Sequence, residues 1–398
     1  MPDNAPSSTP AGSTPAGRTA SAASDRPTAC LVLADGSIFH GHGFGATGEA
    51  AGLVSFNTAM SGYQEVITDP ASTGQIIAFT FPHIGTTGTN PEDDQSAGPA
   101  AVGIITRNLP GRASSWRSTA DLADWMTDRG VIGIGGVDTR RLTLALRRKG
   151  SMQAVLAHDP AGVFDIKAMA ERTAGPPAAP VLAGPRPESW TEGRWTWADG
   201  ITAPPADGPG RGLHVVVLDH GAGRDALRAL ASTGAKITVL PGDCGIDAVL
   251  AQNPDGIVLS HGPGDPRGTD DRVLAVIREL ITRGLPVQAF GFGHQLLARA
   301  LGAKVIPLPH GHHGANHPVR PPAGGQVEIT TMNHGFAVDG DSLPADVRPG
   351  LISLFDGSNC GLEVEGRPIF STQHMPGPAE GETGFDRLLA AMRGDKPA

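Results

Sequence analysis

From residue 213 onward the chain alternates between short apolar runs and segments of helical spacing, and that alternation restricts the fold more than any other property. Apolar runs at 214–218, 236–240, 256–259 and 286–290 are interleaved with helix-like stretches at 224–233, 245–252 and 271–283. Strand and helix in strict turn predict a doubly wound, mostly parallel α/β sheet, with ligands bound beyond the carboxyl ends of the strands. Unusual loops follow two of these runs: Ser260-His261-Gly262-Pro263-Gly264-Asp265-Pro266, and Phe290-Gly291-Phe292-Gly293-His294.

The second loop ends an apolar strand and opens a helix through Gln295, Leu296, Leu297 and Leu301. A tight strand-to-helix turn exposes its apex side chain, and the backbone N–H groups that follow can stabilise an oxyanion there. Covalent catalysis needs Cys or Ser at that apex. Here it is Gly291, which has no side chain to attack with.

The stretch 285–297 resembles the nucleophile elbow of class I glutamine amidotransferases, whose usual form is Gly-x-Cys-x-Gly-His-Gln, with Gly291 falling on the cysteine. The resemblance covers nearly all of the chain after the first 27 residues and is strongest to the small, glutamine-hydrolysing subunit of carbamoyl-phosphate synthase. It implies that Gly262 and Gly264 belong to the loop that binds glutamine and contributes to the oxyanion hole. Taken alone, that loop reads equally well as an ordinary Gly/Pro turn. Gln295 matches a glutamine-contacting residue, Phe292 stands where the family usually has Leu, and Asn333, Gly335 and Phe336 match substrate contacts within Asn333-His334-Gly335-Phe336-Ala337-Val338-Asp339. His294 reads best as a structural hydrogen bond in the turn.

A Cys-dependent amidotransferase also needs a histidine to carry the proton and a carboxylate to orient it. His374 aligns with the histidine of the family's His-Pro-Glu motif, but Met375 and Pro376 follow, and Glu380 lies further on with nothing in the spacing to make it a substitute. In the first domain Ala71 replaces a serine that contacts glutamine across the domain interface. Three departures in one functional unit lead to the expectation that this chain has lost glutamine hydrolysis.

The motifs at 56–65, 82–85, 89–90 and 137–140 match the family's first domain, which implies docking on the large synthetase subunit. That partner uses ATP and bicarbonate, and no cofactor is expected on this chain. The leading expectation is a small-subunit homologue that supports carbamoyl phosphate formation from ammonia. The other is a non-catalytic regulatory module that holds glutamine. An independent hydrolase fits poorly without a nucleophile.

A chain of 398 residues suggests two domains. The expected layout is a disordered tail at 1–27, an α+β small-subunit domain at 28–165, a Pro/Ala/Gly-rich connector at 166–212 and an amidotransferase-like α/β domain at 213–394. Arg18 and Arg26 among serines give the tail a faint organelle-targeting character, against which stand Asp3, Asp25 and the prolines. Trp190 and Trp195 either anchor the connector or simply pack. A net charge of −9 with no basic cluster interleaved with aromatics argues against nucleic-acid binding. Cys30, Cys244 and Cys360 have neither disulfide nor zinc spacing. No apolar run approaches the roughly 18 residues of a membrane span, so a cytoplasmic protein without membrane contact is expected. His310, His312, His313 and His317 look at first like a metal site, but their surroundings match a non-metal stretch of the family, and no metal is expected.

Overall fold

The computed structural model describes residues 26–175, 189–375 and 384–394. Most of the expected tail, the middle of the connector, Pro376 and Glu380 lie outside the described residues.

The first domain is a closed barrel of seven strands, in the order Ala29–Leu33, Ile38–Gly45, Ile132–Gly135, Gly103–Ile105, Gln75–Phe79, Gly48–Asn57 and Met152–His158. Closure leaves no open edge to pair with another chain. The strands expected at 30–33, 38–40, 53–56 and 76–81 fall within or overlap four of these, and the helices expected at 120–127 and 140–148 are Leu122–Asp128 and Thr139–Lys149. The second half is not purely helical, however. Gly103–Ile105, Ile132–Gly135 and Met152–His158 are strands set between the helices. The first two are short, glycine-bearing and entirely buried, so they lack the apolar–polar alternation that marks a half-exposed strand. Helix Thr139–Lys149 starts where Asp138 accepts a hydrogen bond from the Arg141 N–H at 3.0 Å, and its last turn carries Arg147, Arg148 and Lys149, which complement the helix dipole.

The second domain is built on a seven-stranded sheet in the order Lys236–Pro241, His214–Asp219, Gly256–Leu259, Val287–Phe290, Ile369–Thr372, Gly361–Val364 and Val347–Pro349. The first five strands are parallel, Gly361–Val364 runs against them, and Val347–Pro349, antiparallel to Gly361–Val364, runs with them again. Because side chains alternate across a strand, consecutive residues feed opposite cores. Val215, Val217, Val239 and Val258 pack with helices Arg224–Ala231 and Asp386–Met392 on one face. Val216, Leu218, Ile257 and Leu259 pack with Asp271–Thr282 and Phe292–Leu301 on the other. Helices on both faces make this the doubly wound α/β sheet that the alternation predicts.

A long hairpin, Val305–Arg320 with Glu328–Val338, stands outside that sheet and carries register shifts between Pro307 and His312 and between Gly314 and His317. No strand was expected there, because Gly, Pro and His interrupt any period of two. Among the described residues, no helix is long and apolar enough to cross a membrane.

Leu297, fully buried on the helix that follows the 291 turn, holds that helix against the sheet. Leu297→Ala should lower unfolding free energy by about 2–5 kcal/mol in urea titration; a loss below about 1 kcal/mol would show that the helix is not seated by this contact.

Candidate functional site

Three neighbouring parallel strands bring the predicted residues to one edge of the sheet. Gly256–Leu259 pairs with Val287–Phe290 through Ile257 with Val287, Val258 with Gln288 and Leu259 with Ala289, so the loops beginning at Ser260 and Gly291 emerge side by side. Val287–Phe290 pairs on its other side with Ile369–Thr372, Phe290 opposite Thr372, which delivers His374 to the same edge. The Gly291 N–H donates to the Thr372 carbonyl at 3.0 Å, and the Gly293 N–H to the Ser260 carbonyl at 2.9 Å. Both neighbours are thereby stitched to the turn.

Gly291 has φ 57° and ψ −117° and immediately precedes helix Phe292–Leu301. Residues with a side chain seldom adopt that conformation; glycine adopts it without strain. The space above the apex is filled by His261, to which the residue pattern assigns no role. A Cβ built on Gly291 would lie 2.6 Å from His261 Cγ and 2.8 Å from its Cε1, and closer still to Nδ1. The Phe292 N–H donates to His261 Nδ1 at 2.9 Å. Residue spacing carries no signal for this contact, which spans 31 positions and exists only through the strand register.

The remaining predicted residues surround this pair. Gly262 is buried, and a Cβ there would collide with the His220 carbonyl; Gly264 has φ 98°. Gln295 is 2% exposed, and its Nε2 donates to the Phe336 carbonyl at 2.7 Å and to Gln373 Oε1 at 3.0 Å. It therefore ties the turn helix to the hairpin. Phe336 lies under the Arg267 guanidinium, 5.1 Å from its ring centre. Phe292 is half-buried beside the His220 ring, and Gly335 has open space where a side chain would stand.

Asn333 links the two domains. Its Nδ2 donates to Asp69 Oδ2 at 3.3 Å and lies 3.4 Å from Ser72 Oγ, while its Oδ1 accepts from His313 Nδ1 at 2.7 Å. Ala71 is buried beside this link, and its N–H donates to the other Asp69 oxygen at 3.0 Å. Ala71 offers no hydroxyl, yet Ser72, 1% exposed, brings one to Asn333 from the next position.

His294 is fully buried, with Nδ1 2.8 Å from Ser371 Oγ. His374 is 9% exposed, and among the described residues its Nδ1 has no hydrogen-bond partner and no carboxylate bonds to it. Burial pushes His374 down to about 4 and His294, which His374 also disfavours, to about 3. Along the hairpin His310 is exposed, whereas His312, His313 and His317 are buried and His312 stacks on His317 with ring centres 5.0 Å apart. Among the described residues no three His, Cys, Asp or Glu side chains form a metal-holding group.

Two family models match the chain. Residues 31–156 match the carbamoyl-phosphate synthase small chain, CPSase domain, and residues 216–385 match glutamine amidotransferase class-I. The carbamoyl phosphate synthase small chain of Ruegeria pomeroyi is 48% identical over 383 residues, covering 93% of this chain and 97% of that one. The small chain of Mesorhizobium japonicum is 46% identical over 387 residues, covering 93% and 96%. A solved glutamine amidotransferase from Thermotoga maritima is 15% identical with a TM-score of 0.32, covering 46% of this chain and 83% of that one; at that level the likeness decides nothing.

The buried histidines make stability depend on pH. Burial lowers His220, His313, His317 and His374 to about 4, so they are neutral in the fold, whereas an unfolded histidine titrates near about 6.5. Their contribution is complete above that value and is lost as pH falls toward 4, because the unfolded chain then binds more protons. The urea midpoint should therefore drop between pH 6.5 and 4, by up to about 1.4 kcal/mol of stability per pH unit for each such ring. A midpoint that stays flat across that window would show that the rings are already charged in the fold.

Proposed function

This chain belongs to the carbamoyl phosphate synthase small-chain family, and we propose that it acts there as a docking subunit that no longer hydrolyses glutamine. Its role is to bind a large synthetase subunit and support carbamoyl phosphate formation from free ammonia. The observation that carries this reading is the apex of the turn. Gly291 is the nucleophile position, and it has no sulfur with which to form an acyl-enzyme.

Two further features support it. A proton carrier works best when its pKa lies near the working pH. Burial holds His374 near 4, with no carboxylate among the described residues to raise it. The Phe292 N–H, placed where an oxyanion-hole donor belongs, is already taken by His261. An amidotransferase needs nucleophile, base and oxyanion donor together, and each is absent, mistuned or engaged.

The barrel domain supports the docking half of the proposal. Its match to the small-chain CPSase domain runs from residue 31 to 156, nearly the whole barrel. The barrel supplies Asp69 and Ser72 to the Asn333 link, but the turn, His261 and His374 all come from the second domain.

Co-purification with a large carbamoyl phosphate synthase subunit, followed by assays with ammonium and with glutamine as nitrogen donor, tests the proposal. The complex should form and make carbamoyl phosphate from ammonium but not from glutamine. A glutamine-dependent rate equal to the ammonium rate, or a trapped glutamyl adduct on the purified chain, would overturn it. Gly291→Cys alone should leave ammonia release from glutamine on the order of 100-fold or more below that of an intact homologue, because general base and oxyanion donor remain compromised. Full activity in that single variant would show that only the sulfur is missing.

A further inference from the structure

An amide entering the pocket at the turn needs two things from it: space over residue 291 and a free N–H on residue 292 for its carbonyl oxygen. His261 takes both. We propose that the His261 ring is the resident occupant of this pocket and the residue that excludes glutamine from it. The inference rests on the assignment of this pocket as the amide site, made above, and adds what fills it.

The first N–H groups of a helix have no partner within the helix. That of Phe292 finds one in His261 Nδ1, at 2.9 Å. An imidazole nitrogen that accepts carries no proton, so the ring is neutral with its proton on Nε2. Burial favours that neutral form, while Asp69 and the Asn333 backbone face the ring and act in the opposite sense. His261 is 4% exposed, so the ring is packed within the pocket.

The loop gives the ring little freedom to withdraw. Ser260 Oγ donates to the His261 carbonyl at 2.8 Å and accepts from the His220 N–H at 2.9 Å. The Ser260 carbonyl receives the Gly293 N–H from the turn itself. On the far side Gly262 is pressed against the His220 carbonyl. Backbone on both flanks of His261 is thus held, and the side chain points over an apex that has no Cβ. The glycine at 291 is what makes room for the ring.

A substrate oxygen can take the Phe292 N–H only by displacing Nδ1, and the ring would then have to leave a buried position. Replacing His261 with a small residue should open the pocket while leaving the other predicted contacts, Gln295, Asn333 and Phe336, in place.

Calorimetric titration of L-glutamine into the full chain, as wild type and as His261→Ala and His261→Asn, tests the proposal, with thermal midpoints recorded for each protein. Wild type should give no saturable heat, and at least one variant should bind L-glutamine about tenfold or more tightly than wild type does, a difference of about 1.4 kcal/mol. Equal affinity in wild type and variants overturns the proposal, as does the absence of binding in variants that melt normally. If both variants unfold, nitrogen NMR of histidine-labelled wild type decides: a neutral His261 with its proton on Nε2 upholds the occupant, and a proton on Nδ1 overturns it. Docking and ammonium use do not involve this ring. A chain that docks but binds glutamine as wild type defeats only this proposal, and one that excludes glutamine but binds no large subunit defeats only the functional reading above.

Discussion

The parallel register of Val287–Phe290 between Gly256–Leu259 and Ile369–Thr372 is the constraint from which the site follows. Backbone pairing fixes where each strand ends, and the ends determine which loops meet. A slip of one residue would turn every side chain on the central strand to the opposite face. Ala289, buried in one core, and Phe290, buried in the other, could not both exchange places. Packing on two faces therefore holds Phe290 opposite Thr372 and sets Gly291, directly after it, beside the loop that begins at Ser260.

Where the sequence was legible, it was so because the pattern was local. Apolar runs flanked by turns located every parallel strand from 214 to 290 to within a residue or so, since each is short, continuous and buried on both faces. The apex at Gly291 was equally plain, because strand, glycine and helix follow one another directly. The hairpin at 305–338 was not, because its Pro, Gly and histidine residues break the alternation that marks a strand. Neither Ser72 beside Ala71 nor His261 above Gly291 was visible, since both depend on what lies across a gap between distant segments. The resemblance pointed to positions along the chain, but not to the side chain that lies above one of them.

Electrostatically the site is quiet. His261, His294, His313 and His374 are all buried, and burial holds each below its usual range. Rings in that state serve as neutral donors and acceptors in a packed network: His294 on Ser371, His313 on Asn333, His261 on the Phe292 N–H. Such a network favours a rigid interior over one that cycles protons, because moving a charge into it would cost several times the value of any single hydrogen bond.

The fit of the His261 ring over the bare apex also ties two positions together. With the ring in place, a side chain gained at 291 meets an occupied volume and a backbone conformation that strains it. With the ring lost first, the space at 291 opens, but the backbone there still strains a side chain and the Phe292 N–H is left without its partner. The two positions are therefore interlocked: neither can be exchanged alone without a cost at the other.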